Sequence, residues 1–241
     1  MKRKQVQGLL YFLLVTMAFG TLAGCEIPYI PSRIVYEDPI NFIRLEPDPN
    51  VYDELPKTLH RHPFTMETDQ MAAVLRGFSV REHRNALQRF FSGEAPREPV
   101  FREEEIALLV PRLTEALEQA RPDERVTFYL SKPQTSIKRE ITSGGLYIHD
   151  HELHFILGNH RIVYGIPAYG MVYDRRYPTM PTAPKGFDLF FEPGGAVIPQ
   201  KSGLLTRSLG QEKDEMVIDL RKLPPLEPVT FQEGPVLRPA A

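Results

Sequence analysis

The spacing of apolar residues changes at Pro122, and this change limits the chain to few folds. Before that point, apolar residues recur at the helical spacing that places them on one face, as in Met71, Val74, Leu75 and Phe78. After it, apolar and polar residues alternate, as they do in strands that bury one side. Helices followed by a run of strands predict an α+β fold, with about three helices and then a largely antiparallel β-sheet.

Three helices are predicted in the first half of the chain, over residues 68–78, 79–93 and 102–120. The second is placed by Ser79 and Glu82, which have the spacing of a capping box, and by a glycine at its end. All three carry apolar residues at intervals of three and four. We therefore expect each helix to bury one side against the sheet.

Proline shapes the rest of this prediction. The chain has 23 prolines and 16 glycines, so long helices should be few. Pro111 falls inside the third helix and cannot donate a hydrogen bond to the carbonyl of Ala107. We expect a kink there, or two short helices.

The most specific strand prediction is a hairpin over residues 146–157 with a two-residue loop at 150–151. In that register Ile148 faces Leu153, and Leu146 faces Phe155, all on one side. The other side then carries Tyr147, His149, Glu152 and His154. Further strands are predicted at 34–45, 125–130, 161–164, 187–191 and 216–220, and residues 142–145 are predicted to form a turn.

His149 and His154 are the candidate metal ligands. They lie diagonally on the polar side of the predicted hairpin beside Glu152, within reach of one ion. Imidazole and carboxylate groups suit zinc or copper. The other interpretation is a solvent-exposed polar face without metal. No G-x-S-x-G sequence is present, so we assign no catalytic residue, and we predict no cofactor.

A long segment, 166–185, contains four prolines and several tyrosines and arginines. Such loops in compact domains are often functional, and tyrosine and arginine are enriched at binding hot spots. We take Tyr173 and Arg176 as candidate partner-binding residues. The alternative is that the segment only packs on the sheet.

The N-terminus has the layout of a secretory signal peptide. Basic residues at 2–4 precede an apolar run of about eleven residues, which as a helix would span roughly 16 Å and is short for a bilayer core of about 30 Å. The run ends in Leu22-Ala23-Gly24-Cys25, which resembles the lipobox of bacterial lipoproteins. Cys25 is also the only cysteine, so a disulfide within one chain is impossible.

The lipobox resemblance implies that Cys25 is lipidated and becomes the mature N-terminus, anchored in a membrane by its acyl chains. Two or three chains together hold a protein stably at a bilayer. The predicted organisation is a signal peptide at 1–24, a lipidated tether at 25–33, one α+β domain at 34–223 and a proline-rich tail at 224–241. In enterobacterial lipoproteins an Asp after the acylated Cys favours the inner membrane. Residue 26 is Glu, which favours the outer membrane, facing the periplasm.

Charge argues against nucleic acid as a partner. Removal of the signal peptide takes away three of the 29 basic residues and no acid, so the formal charge falls from −2 to −5. The remaining basic residues are scattered among acids. We expect a lipid-anchored cell-envelope protein with a non-catalytic binding or assembly role, whose partner is an envelope protein or polysaccharide. The alternative is a metal-dependent envelope hydrolase that uses the histidine-bearing hairpin.

Overall fold

The computed structural model describes residues 31–53, 59–165, 178–182, 186–199 and 215–224. Within these ranges there are four α-helices: α1 (Pro49–Asp53), α2 (Thr68–Gly77), α3 (Ala86–Ser92) and α4 (Glu103–Gln119). The strands are β1 (Arg33–Glu37), β2 (Phe42–Pro47), β3 (Phe78–Glu82), β4 (Arg97–Pro99), β5 (Glu124–Pro133), β6 (Lys138–His149), β7 (Glu152–Gly165), β8 (Phe187–Phe191), β9 (Val197–Ile198) and β10 (Glu215–Asp219).

Seven strands form one sheet in the order β1-β2-β5-β6-β7-β10-β9, and β4-β3-β8 form a second. Every strand pairing is antiparallel. The core lies on one face of the large sheet, where α2, α4 and the small sheet bury their apolar side chains. The α+β fold is thus confirmed, with one helix more than predicted among the described residues. In those ranges no helix is long and apolar enough to cross a membrane.

The predicted hairpin is present in the predicted register. Ile148 pairs with Leu153, and Leu146 pairs with Phe155. All four side chains are buried in the core, whereas Tyr147 and its neighbours point to the other face. Asp150 in the two-residue loop has a φ of 51°, which is the left-handed backbone that tight hairpin loops require.

The prediction of a helix over 79–93 is wrong for its first half. Phe78 and Val80 are buried on alternate positions of β3, which pairs with β4 and β8. The helix starts later, because the capping box is formed by Asn85 and Gln88 rather than by Ser79. Sheet pairing and a better cap therefore override the weaker local signal.

The expectation of two short helices around Pro111 is also wrong, since α4 is one helix of 17 residues. Pro111 and Ala107 both lie on the exposed side of α4. The carbonyl that loses its N–H partner therefore faces water, which can satisfy it at low cost.

Residues 142–145 were expected to form a turn, but they lie inside β6. Gly144 sits against the carbonyl of Ile156 and the ring of Phe128, where a Cβ atom would clash. The glycine therefore permits close approach of neighbouring strands instead of a change of direction. Likewise the strands β6 and β7 run well beyond the predicted 146–157.

Candidate functional site

A group of polar side chains occupies the face of the large sheet opposite the core. Tyr147, His154 and Glu215 come from adjacent strands, β6, β7 and β10. Asp48 follows β2, and His60 belongs to the segment before α2. We call these five residues the polar cluster. They share a face because strand residues alternate, so that the neighbours of buried Leu146, Ile148, Leu153 and Phe155 point away from the core.

Glu215 is the centre of one half of the polar cluster. Its Oε1 accepts a hydrogen bond from the Tyr147 hydroxyl at 2.7 Å and lies 2.7 Å from Nδ1 of His154. Because an ionised carboxylate only accepts, Nδ1 of His154 carries a proton. The Tyr147 and His154 rings are stacked, with centroids 4.5 Å apart. Burial, followed by the charge of Glu215, raises the pKa of Tyr147, so its phenol stays protonated at neutral pH.

Asp48 is the centre of the other half. Its fully buried carboxylate lies 3.1 Å from Nε2 of His60 and 3.8 Å from the Arg125 guanidinium. Burial alone would raise the pKa of Asp48, but the hydrogen bond with His60 and the charge of Arg125 outweigh it, so the pKa lies below its usual value. The His60 ring lies 4.2 Å from the Tyr147 ring, which joins the two halves.

The segment that carries His60 is held beside the end of β6. The backbone N–H of Arg61 donates to the carbonyl of Ile148 at 2.7 Å. In return, the N–H of Ile148 donates to Nε2 of His62 at 3.1 Å. Burial, and then the nearby His60, lowers the pKa of His62 to about 4. His62 is therefore neutral at pH 7 and serves as a buried acceptor.

These contacts determine what the polar cluster can do. Both carboxylates are engaged with side chains of the same cluster, and Tyr147 is a donor. Nε2 of His154 is buried, has no hydrogen-bond partner among the described residues and lies 3.8 Å from the Glu152 carboxylate. The arrangement is a hydrogen-bonded scaffold that ties together three strands, the residue after β2 and the segment before α2.

The two histidines of the predicted metal pair lie near each other on the polar face of the hairpin. The His149 and His154 ring centroids are 6.2 Å apart and the rings are perpendicular. Nowhere in the described ranges do three His, Cys, Asp or Glu side chains form a group that could hold a metal ion. The metal site at His149 and His154 stays a prediction. The alternative, an exposed polar face, is wrong for His154, whose side chain is only 15% exposed.

The sequence analysis missed Glu215, Asp48 and His60. Glu215 lies 61 residues from His154, and no local pattern could bring them together. A strand at 216–220 was predicted, but β10 begins one residue earlier, at Glu215, which is the acid that meets the hairpin. The order of strands in the sheet was the missing information.

A second candidate surface is formed by α3. Its apolar residues Leu87, Phe90 and Phe91 are 68%, 82% and 75% exposed, and every side chain at 87–92 faces solvent. We call these three residues the α3 surface. This corrects the expectation that the second helix buries its apolar side. Full burial of a side chain of this size is worth about 1.5–3 kcal/mol, so the surface retains a large capacity for binding.

Both ends of α3 are capped without help from a core. At the start, the N–H of Gln88 donates to the Asn85 side chain at 2.8 Å. At the end, the N–H of Gly93 donates to the carbonyl of Arg89 at 2.9 Å, and Gly93 has the left-handed φ of 67°. The Arg84 guanidinium donates to the carbonyls of Ser92 and Gly93. Capping therefore holds a seven-residue helix whose apolar side chains are in water.

The end of the long segment 166–185 is anchored to the polar face. Ser143 donates through Oγ to the carbonyl of Pro178 at 2.7 Å, and Asn159 donates to the carbonyl of Met180 at 3.0 Å. The N–H of Thr182 donates to the Asn159 side chain at 2.9 Å. Ser143 is thus a buried structural residue that helps to hold residues 178–182 on the sheet.

Three sequence-predicted site residues, Cys25, Tyr173 and Arg176, lie outside the described residues, as do the signal peptide and residues 225–241 of the tail. No protein family model, no curated protein and no solved structure matches the chain.

Proposed function

We propose that the chain is a lipid-anchored cell-envelope protein, held by Cys25 at the periplasmic face of the outer membrane, that acts by binding and not by catalysis. Its partner is another component of the envelope. The lipobox-like Leu22–Cys25 segment supports the anchor. Binding requires a surface whose side chains the domain does not bury or bond itself.

The α3 surface is the observation that carries the binding role. Leu87, Phe90 and Phe91 are exposed together on one capped helix, and none of them belongs to the buried core of the domain. Grouped exposed apolar residues mark interaction sites, unlike apolar residues scattered singly. The polar cluster supports the same proposal. Glu215 is bonded to Tyr147 and His154, and Asp48 to His60, so these side chains are occupied with holding the fold and not with a substrate.

The anchor is tested with Cys25→Ser in the full chain. Without the thiol no diacylglyceryl group can be attached, so lipid labelling should be lost and the protein should appear as precursor or in the soluble fraction. Mass spectrometry of the purified wild type should show acyl chains on Cys25. A Cys25→Ser protein that still carries the label would disprove the anchor.

The choice between binding and hydrolysis is tested by complementing a deletion strain at matched protein levels. Phe90→Ser with Phe91→Ser should fail to complement, whereas His149→Ala should complement fully. Met180→Ser is the control, since Met180 is 60% exposed and lies on the other face of the large sheet. Tyr173→Ala with Arg176→Ala tests the predicted loop contact in the same assay. Failure of His149→Ala alone, with zinc in the purified wild type, would overturn the proposal in favour of a metal hydrolase.

A further inference from the structure

We propose that the α3 surface binds the surface of an anionic phospholipid bilayer and so provides a second membrane contact beside the lipid anchor. This inference rests on the proposed anchoring at Cys25 and names the component that α3 contacts. Three features of the described residues lead to it: the shape of the apolar group, the charge around it and its position along the fold.

The apolar group has the form of an interfacial helix. Leu87, Phe90 and Phe91 stand at positions i, i+3 and i+4, so they share one side of α3. The two phenyl rings meet edge to face with centroids 5.2 Å apart. Helices that lie in the bilayer interface insert such a side among the headgroups and keep polar residues above it.

The helix α3 carries one charged side chain, Arg89, and no acid. Arg84 and Arg97 lie on either side of α3, and acids at 82, 94 and 98 balance the arginines in sequence. Arg97 is paired with Glu192 at 3.2 Å. The Arg89 side chain is 55% exposed, and its guanidinium lies as far as 4.0 Å from the carboxylate of Glu94, so this exposed acid compensates its charge only weakly. Basic residues beside an apolar side favour anionic headgroups. In a two-fold symmetric contact with a second copy, the Arg89 side chains of both copies would approach and repel each other, which argues for lipid over a second copy.

The position of α3 allows it to reach the bilayer that holds the anchor. The Arg33 guanidinium donates to the carbonyl of Gln119, at the C-terminal end of α4. The strand that follows α3, β4, leads directly into the N-terminal end of α4. A helix of 17 residues spans about 25 Å at 1.5 Å per residue. The eight residues from Glu26 to Arg33 also span up to about 25 Å, so the tether lets the domain lie with both contacts on one bilayer.

Tethering makes a weak contact sufficient. A lipid-anchored domain meets the bilayer at a high effective concentration, and the second contact therefore needs little affinity of its own. Two phenylalanines, one leucine and flanking arginines provide a contact of this kind, and it would orient the domain on the membrane.

The test uses the absence of tryptophan from the chain. Phe91→Trp in the full acylated protein introduces a single fluorophore at the α3 surface, and Met180→Trp is the matched control on the other face of the sheet. In vesicles of equal phosphatidylglycerol and phosphatidylcholine, Phe91→Trp should emit at shorter wavelength and be quenched by brominated acyl chains. Met180→Trp should emit as in water. Water-like, unquenched emission from Phe91→Trp would overturn the inference.

Partitioning of the non-acylated Cys25→Ser chain separates this inference from the anchor. Phe90→Ser with Phe91→Ser should lower its partition into the same vesicles at least about tenfold, and Arg89→Gln should lower it about fivefold. On pure phosphatidylcholine vesicles Arg89→Gln should have no effect. If the wild type carries acyl chains on Cys25 but the substitutions cause no loss of partitioning, the α3 contact alone is overturned. If the wild type carries no acyl chains but the losses are seen, the anchor alone is overturned. Shielding of Phe91→Trp without vesicles, together with a dimeric mass, would assign the surface to a second copy and overturn the lipid contact.

Discussion

The polar cluster and the α3 surface distribute polarity in opposite ways. In the cluster, side chains that prefer water are withdrawn from it and bonded to each other, as Glu215 is to Tyr147 and His154. On α3, side chains that avoid water remain in it, with Phe90 82% exposed. A buried hydrogen bond contributes to holding the fold, because a partner left alone by a substitution is costly. An exposed apolar group contributes little to the fold and is available to a partner.

This contrast makes the two regions separable by experiment. Substitutions in the polar cluster should lower the free energy of unfolding and leave vesicle binding unchanged in whatever protein remains folded. Substitutions on the α3 surface should do the opposite. The following predictions test this separation, from the largest effect on stability to the smallest.

Glu215→Ala should have the largest effect in the cluster. It leaves the hydroxyl of Tyr147 and Nδ1 of His154 without their shared acceptor in a mostly buried site, which should lower the free energy of unfolding by about 3 kcal/mol. Urea denaturation at pH 7, followed by circular dichroism, measures it. Glu215→Gln is the control and should lose less, since its amide oxygen can still accept. A loss below about 1 kcal/mol for Glu215→Ala would mean that the cluster does not support the fold.

His62 should make stability fall in mild acid. Its pKa is about 4 in the folded protein and about 6.5 when unfolded, so between these values the unfolded chain binds the additional proton. Stability is therefore complete above pH 6.5 and is lost as the pH falls toward 4, by about 2 kcal/mol from pH 7 to pH 5. His62→Gln keeps an acceptor for the N–H of Ile148 and should flatten this dependence. An equal slope in His62→Gln would contradict the assignment.

Tyr147→Phe should have a smaller effect than either. The ring remains packed between His60 and His154, and only the hydrogen bond to Glu215 is lost, which should cost about 1 kcal/mol. Tyr36→Phe is a matched control, because it removes a hydroxyl that bonds Asp38 at 2.7 Å on the edge strand β1. We expect the control to cost less, because water can replace its partner. Equal losses would show that burial does not distinguish the two hydroxyls.

Features that depend on neighbouring residues could be predicted from the sequence, and features that depend on distant contacts could not. The hairpin register was correct because strict alternation places Ile148 and Leu153 on one side. The polar cluster could not be predicted, because it depends on the order of strands in the sheet. Glu215 and His154, like His60 and Tyr147, are far apart in sequence and meet only in the folded protein. The α3 surface was misassigned because apolar spacing alone predicts a buried side. The residues around α3 do not show that its apolar side has no part of the core to pack against.

The smallest effect on the free energy of unfolding is expected for substitutions on the α3 surface, which carries the proposed binding function. Phe90→Ser with Phe91→Ser should change the free energy of unfolding by no more than about 0.5 kcal/mol, because both rings are already in water and the caps of α3 are untouched. Phe155→Ala is the contrast, since that fully buried ring should cost about 3–5 kcal/mol. Urea denaturation of the three proteins gives the comparison. A large loss for the α3 pair would mean that these rings support the fold and that failed complementation reports unfolding. A negligible loss, with vesicle binding gone, would show that the α3 surface serves a contact outside the domain and does not support the fold.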